Sequence, residues 1–199
     1  MGRFQAYAFS ANPDFDEAQT RLAFAKAVPL KTVVIYCYDP RAAGIPAAVA
    51  ARLEDEVYPG KVICDPQGRR VASTATLFPI IVAGGRAADA MRSVTVAQHL
   101  FGVENIVVVH HSHCGATTFT ADGIIEAHGR EQGQDISHAY DRHSLCIADY
   151  ELSLRQDAAY IRAHPGSPKR ANIYGYFYDI DAQTLTQVVA DLAPDRAQD

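Results

Sequence analysis

Two short segments of this 199-residue chain concentrate side chains able to hold a metal or move a proton. Tyr36-Cys37-Tyr38-Asp39-Pro40-Arg41 carries a thiol, a carboxylate and a guanidinium within one turn's reach, and His110-His111-Ser112-His113-Cys114-Gly115 carries three imidazoles and a second thiol. Zinc takes thiolate sulfur at about 2.3 Å and imidazole nitrogen at about 2.0–2.1 Å in a tetrahedron, and catalytic sites supply three protein ligands while keeping the fourth position open. Cys37, His111 and Cys114 make three. A His and a Cys three positions apart can reach one metal across a single turn, whereas neighbours such as His113 and Cys114 point apart. His111 is therefore favoured, with His110 the weaker alternative.

Plainer roles exist for each piece. A cysteine ending a buried strand is commonly an apolar filler, Asp39-Pro40-Arg41 could be a turn with a surface ion pair of about 0–1 kcal/mol, and His111 with Cys114 could cap a helix starting near Gly115. The coincidence of both segments favours the metal. Histidines 99, 128, 138, 143 and 164 show no ligand spacing and are assigned to solvated faces or loops. Cys64 and Cys146 have no basic or imidazole neighbour in sequence and are expected to be buried, unreactive thiols.

These segments need a scaffold that brings them to one edge. Thr32 to Tyr36 and Ile106 to Val109 are β-branched and unalternating, as strands buried on both faces of a parallel sheet should be. Between them the sequence predicts a helix from Ile45 through Val57, with Pro46 in its first turn and stopped by Pro59-Gly60, and another from near Arg86 to Leu100 before Gly102. Val62 to Cys64 and Arg70 to Ala72 read as short strands around a turn, and Leu77 to Val82 as a further strand that Pro79 weakens. A long helix is expected over Ser144 to Ala163, then a strand over Ile173 to Ile180 that turns at Asp181 to Gln183 into Leu185 to Val189. The reading is an α/β fold, with a mainly parallel central sheet flanked by helices and a C-terminal antiparallel hairpin. In such sheets ligands bind beyond the carboxyl ends of the strands, where both segments fall.

Composition bounds the function. The chain is 48% hydrophobic and free of repeats, which fits one domain over 1–199 with a helical arm over 1–30 and a frayed acidic tail over 190–199. A formal net charge of −5 with scattered arginines argues against nucleic acid. No apolar run nears the roughly 20 residues that span a bilayer, and the N-terminus lacks a signal-peptide layout, so no membrane partner and a cytoplasmic location are expected.

Cys-x-Asp-x-Arg followed by His-x-x-Cys-Gly, standing here as CYDPR and HSHCG, resembles the β-class carbonic anhydrases. The resemblance extends to AGGRAADAMRSVTVAQHLFGVENIVVV and to YGYFYDIDAQTLTQV. It departs where Ile81-Val82 stands for the family's Arg-Asn, where Pro40 stands for Ser, and where the wide spacing of the motifs suggests an insertion over Val57 to Ser73.

The resemblance implies a Zn²⁺ cofactor on Cys37, His111 and Cys114, and reversible hydration of CO₂ to bicarbonate. It implies that Asp39 accepts a hydrogen bond from the reacting water while Arg41 keeps it ionised and aimed, or that Asp39 becomes a fourth ligand in a closed state. Ala83, Gly84 and Gly115 are implied to line the substrate position, and His110 and His113 are candidates to pass on a proton. A homodimer or dimer of dimers is expected, and the alternating tyrosines of Ile173 to Ile180 suit core plus subunit contact. Carbonyl sulfide or carbon disulfide hydrolysis on the same scaffold is the alternative, and a closed regulatory relative a third. Ile81-Val82 favour the alternative if they face the mouth of the site.

Overall fold

The computed structural model describes residues 2–194. Its central sheet has five strands in the order β4-β1-β5-β6-β7, namely Leu77–Val82, Thr32–Cys37, Asn105–His111, Asn172–Asp179 and Thr184–Asp191. The first four run parallel and β7 closes antiparallel on β6. Pro79, which cannot donate to a ladder, is accommodated because β4 is the edge strand.

The apolar runs have no alternation because both faces are covered. Val33, Ile35, Ile106 and Val108 point into a core shared with α3 (Met91–Phe101) and α6 (Tyr150–Ala163). Val34, Tyr36, Val107 and Val109 point the other way, against Ile45 and Val49 of α2 (Ile45–Arg52). Each fully buried aliphatic side chain of this kind contributes roughly 1.5–3 kcal/mol, which holds β1 and β5 rigid up to their functional ends.

Several boundaries differ from the sequence reading. The helix expected to reach Val57 ends at Arg52, where Leu53 turns extended and packs on the second core. The helix expected from Arg86 starts at Met91, because Gly84 and Gly85 take left-handed φ of 60° and 69° and fold the preceding segment into two short 3-10 turns. The helix expected from Ser144 is two: α5 (Arg142–Leu145), an extended break at Cys146, and α6, whose first turn is capped by Asp149 accepting from the Leu152 amide at 2.7 Å. The tail expected to fray from residue 190 is strand as far as Asp191, and residues 195–199 lie outside the described residues.

One helix was not foreseen. α4 (Ala121–Gln132) carries two glycines, poor helix formers that weaken a helical reading, and none of its residues is fully buried. Its signals were at its ends: Thr120 caps the Gly123 amide at 3.0 Å, and Gly133 closes it at φ 67°. The expected short strands, β2 (Val62–Cys64) and β3 (Arg70–Ser73), form a separate antiparallel hairpin. Near the N-terminus α1 (Glu17–Ala27) packs against α3 and β3.

Gly85 is where the scaffold meets the site. A Cβ there would lie 2.8 Å from the Val109 carbonyl oxygen and 3.2 Å from the Cys37 amide nitrogen. Gly85→Ala is therefore expected to cost roughly 2–4 kcal/mol, left-handed strain plus overpacking, read by urea unfolding of the metal-free chain. A loss under about 0.5 kcal/mol would show that the turn relaxes freely.

Candidate metal centre

Parallel pairing sets Tyr36 opposite Val109, so β1 and β5 deliver Cys37 and His111 to the same edge of the sheet. Cys114 follows three residues on, ahead of a 3-10 turn at Gly115–Thr117 where a longer helix had been an option. The sulfurs of Cys37 and Cys114 and one imidazole nitrogen of His111 all lie within 4.8 Å of one another, and all three residues are buried.

The donor set passes two tests for a tetrahedral metal. Two zinc–sulfur bonds of about 2.3 Å hold their sulfurs about 3.8 Å apart, and here Cys37 Sγ and Cys114 Sγ are 3.8 Å apart, well outside disulfide length. His111 Nδ1 lies 2.9 Å from the Ser112 carbonyl, to which it donates, and Nε2 is buried without a hydrogen-bond partner. An orphaned, lone-pair-bearing nitrogen beside two sulfurs is what a zinc site with an oriented histidine presents. His113 is exposed and takes no part.

The thiols are unequal. The Cys114 thiol donates to Cys37, which holds the Cys37 thiol far below its ordinary range, while the same bond and burial push Cys114 up. Burial pulls the His111 imidazole down, but interaction with the Cys37 sulfur and the Ser112 carbonyl leaves it above its ordinary value.

Asp39 and Arg41 form a fork-on-carboxylate pair beside the cluster. Arg41 Nε donates to Asp39 Oδ1 at 3.0 Å, Nη2 donates to Oδ2 at 2.6 Å, and Nη2 also reaches the His113 carbonyl at 3.0 Å. The guanidinium holds the Asp39 carboxyl down at about 2, so it stays ionised. Both carboxylate oxygens are engaged, and Asp39 is not among the three converging donors.

A cavity of about 770 Å³ opens in front of Cys37 and Asp39, with Ala83, Gly84 and Gly115 in its wall. Phe119, Ile124, Ile136 and Tyr140 give its far side an apolar character, and His128 joins them. These residues come from the α4 to α5 region, and His128, assigned to a solvated face, was missed because nothing in its spacing linked it to the site. Ile81 and Val82 do not line the cavity: Ile81 is exposed and Val82 packs on the main core. They therefore say nothing about substrate. Cys64, expected to be buried, is exposed on β2.

His110 faces α6 instead. Its Nε2 lies 3.0 Å from Ser153 Oγ and 3.5 Å from Asp157 Oδ2, and burial with the nearby Arg86 charge pushes its pKa down to about 3. Both contacts use one nitrogen, so these residues are not a nucleophilic triad, in which base and orienting acid use opposite ring atoms.

No family model matches the chain. Over 100 residues it is 29% identical to the β-carbonic anhydrase 1 of Mycobacterium tuberculosis, a match covering 50% of this chain and 59% of that protein. The carbonic anhydrase of Streptococcus mutans superposes with a TM-score of 0.60 over 95% of this chain and 99% of that one, at 24% identity. The chain is β-carbonic anhydrase-like. This β-carbonic anhydrase-like chain is also 25% identical over 112 residues to a carbon disulfide hydrolase of Acidithiobacillus thiooxidans, covering 49% of this chain and 56% of that protein. It thus spans little more than half the length of the curated relatives it matches. Among the described residues no helix is long and apolar enough to cross a membrane.

In the metal-free protein at pH 7, where an ordinary thiol of pKa about 8.5 is mostly protonated, ultraviolet thiolate absorbance should report one ionised cysteine, lost in Cys37→Ser. Since the Cys37 pKa is depressed, the signal should persist on acidification from pH 8 to pH 6. Its absence until the ordinary thiol range would show that the two sulfurs do not share a proton.

Proposed function

We propose that the chain binds zinc through Cys37, His111 and Cys114 and catalyses the reversible hydration of carbon dioxide to bicarbonate. The observation that carries this reading is the convergence of two sulfurs 3.8 Å apart with an unpartnered, buried imidazole nitrogen. Zinc held there supplies Lewis acidity and makes water a nucleophile near neutral pH.

The chain's own residues supply the rest. Two thiolates cancel the formal charge of Zn²⁺, so the site needs further polar help. Asp39, ionised and gripped on both oxygens by Arg41, accepts a hydrogen bond from the attacking water and sets its direction. Pro40 fixes one torsion between them. The Ala83-Gly84 turn and Gly115 line the approach to Cys37, and the apolar far wall suits an uncharged substrate and limits competing water. His110, sealed and neutral, cannot exchange protons with solvent. That leaves exposed His113 and cavity-lining His128 to pass the proton to buffer.

The alternation of strands and helices supports one domain, and exposed Phe78 and Ile81 on edge strand β4 support a subunit contact in a homodimer or dimer of dimers. The likeness to a carbon disulfide hydrolase favours a second reading, in which the same site opens carbon disulfide or carbonyl sulfide.

The test is stopped-flow CO₂ hydration from about pH 7 to pH 9 on protein of known zinc content, since two thiolates that cancel the charge of Zn²⁺ should raise the pKa of the reacting water. Activity should follow zinc and rise with pH, and Cys37→Ser should lose both. Turnover retained in Cys37→Ser overturns the proposal. Full zinc with sulfide released from carbon disulfide, but no CO₂ hydration, transfers the assignment to the second reading, and full zinc with neither activity points to a regulatory protein.

A further inference from the structure

Behind the cysteines lies a buried ion pair that the chemistry above does not use. Arg86 Nε donates to Asp157 Oδ2 at 3.0 Å and Nη2 to Oδ1 at 3.2 Å, with both side chains 4% exposed. Two ions out of water need a reason. Replacing such a pair with well-packed apolar residues is commonly neutral or stabilising, so fold stability is a weak one.

The geometry supplies another. Arg86 directly follows the Gly84-Gly85 turn, its amide donates to the Ala83 carbonyl at 3.2 Å, and its Cγ lies 3.5 Å from where a Gly84 Cβ would sit. That turn faces Cys37, whose sulfur is hydrogen-bonded by the Gly84 backbone. The third guanidinium nitrogen, Nη1, donates to the Cys146 carbonyl at 2.6 Å. The next residue, Ile147, packs in one buried cluster with Cys37 and Cys114, and its amide donates to the Ala116 carbonyl at 2.9 Å, two residues beyond Cys114. One guanidinium therefore joins the backbone behind Cys37 to the backbone behind Cys114. Asp157 fixes that guanidinium from α6 and also touches His110, the residue before His111.

We infer that Arg86 and Asp157 are positioning residues for the metal centre, holding the segments behind the two cysteines at the separation a metal requires. This rests on the zinc reading above. Neither residue is a ligand. A lysine at position 86 would keep the charge, but its single ammonium lacks the planar fork that serves Asp157 and the Cys146 carbonyl together.

The decisive protein is the double variant Arg86→Met with Asp157→Leu, which leaves no buried charge unpaired. Zinc affinity by chelator competition, the absorption spectrum of the cobalt-substituted protein, and thermal unfolding of the metal-free chain would be measured against wild type. Loss of outer support typically weakens metal binding about 10–100-fold. That fall is expected here, with shifted thiolate-to-cobalt bands and a metal-free melting temperature close to wild type. Wild-type affinity with an unchanged cobalt spectrum overturns the inference. Should the double variant fail to fold, Arg86→Lys decides: weakened metal binding at a retained melting temperature supports the role, and unchanged binding overturns it. A wild-type chain that binds neither metal overturns the zinc reading and this inference together, an outcome distinct from equally tight binding in both proteins.

Discussion

Everything at the site depends on the hydrogen-bonded ladder between β1 and β5. These strands run parallel from Thr32 opposite Asn105 to Tyr36 opposite Val109, and their side chains pack into cores on both faces. Because side chains alternate with a period of two, a slip of one residue would exchange the two faces and move His111 into the place of His110. The consequence would be chemical as well as structural. His110 has a neutral, dry setting against Ser153 and Asp157, while His111 has an open nitrogen beside two sulfurs.

Rigidity at the strand ends comes from backbone that ordinary residues would not adopt. The left-handed Gly84 and Gly85 let the chain fold back against Val109 and Cys37 without a Cβ between them. The same turn gives the cavity its wall at Ala83 and Gly84 and delivers Arg86 into the interior. Structure that looks like an irregular helix start is thus where cavity wall, cysteine environment and buried charge meet.

Charge is arranged in two shells of different character. Asp39 and Arg41 meet at the solvent edge, where a two-residue separation and a proline make their pairing local. Arg86 and Asp157 meet in the interior across 71 positions of sequence, and only the docking of α6 on the sheet can join them. The first pair sits beside the cysteine–histidine cluster at its open edge, whereas the second lies behind the cysteines.

The sequence by itself determined the local features. Consecutive β-branched residues marked β1 and β5, since only strands buried on both faces tolerate such runs, and the motif spacings picked out Cys37, His111 and Cys114, which the fold then brought together. Asp39 and Arg41 were legible for the same reason, being neighbours of Cys37. Tertiary structure decided what depends on distant partners. It set the burial of His110, the course of Ile81 and Val82 away from the cavity, the break at Cys146, and the place of His128 in the far wall. α4 is weakly marked in the sequence because Gly123 and Gly129, poor helix formers, interrupt the helical reading. The Arg86–Asp157 pair was invisible because its partners lie on elements far apart in sequence, and only packing defines which charges can afford to leave water together.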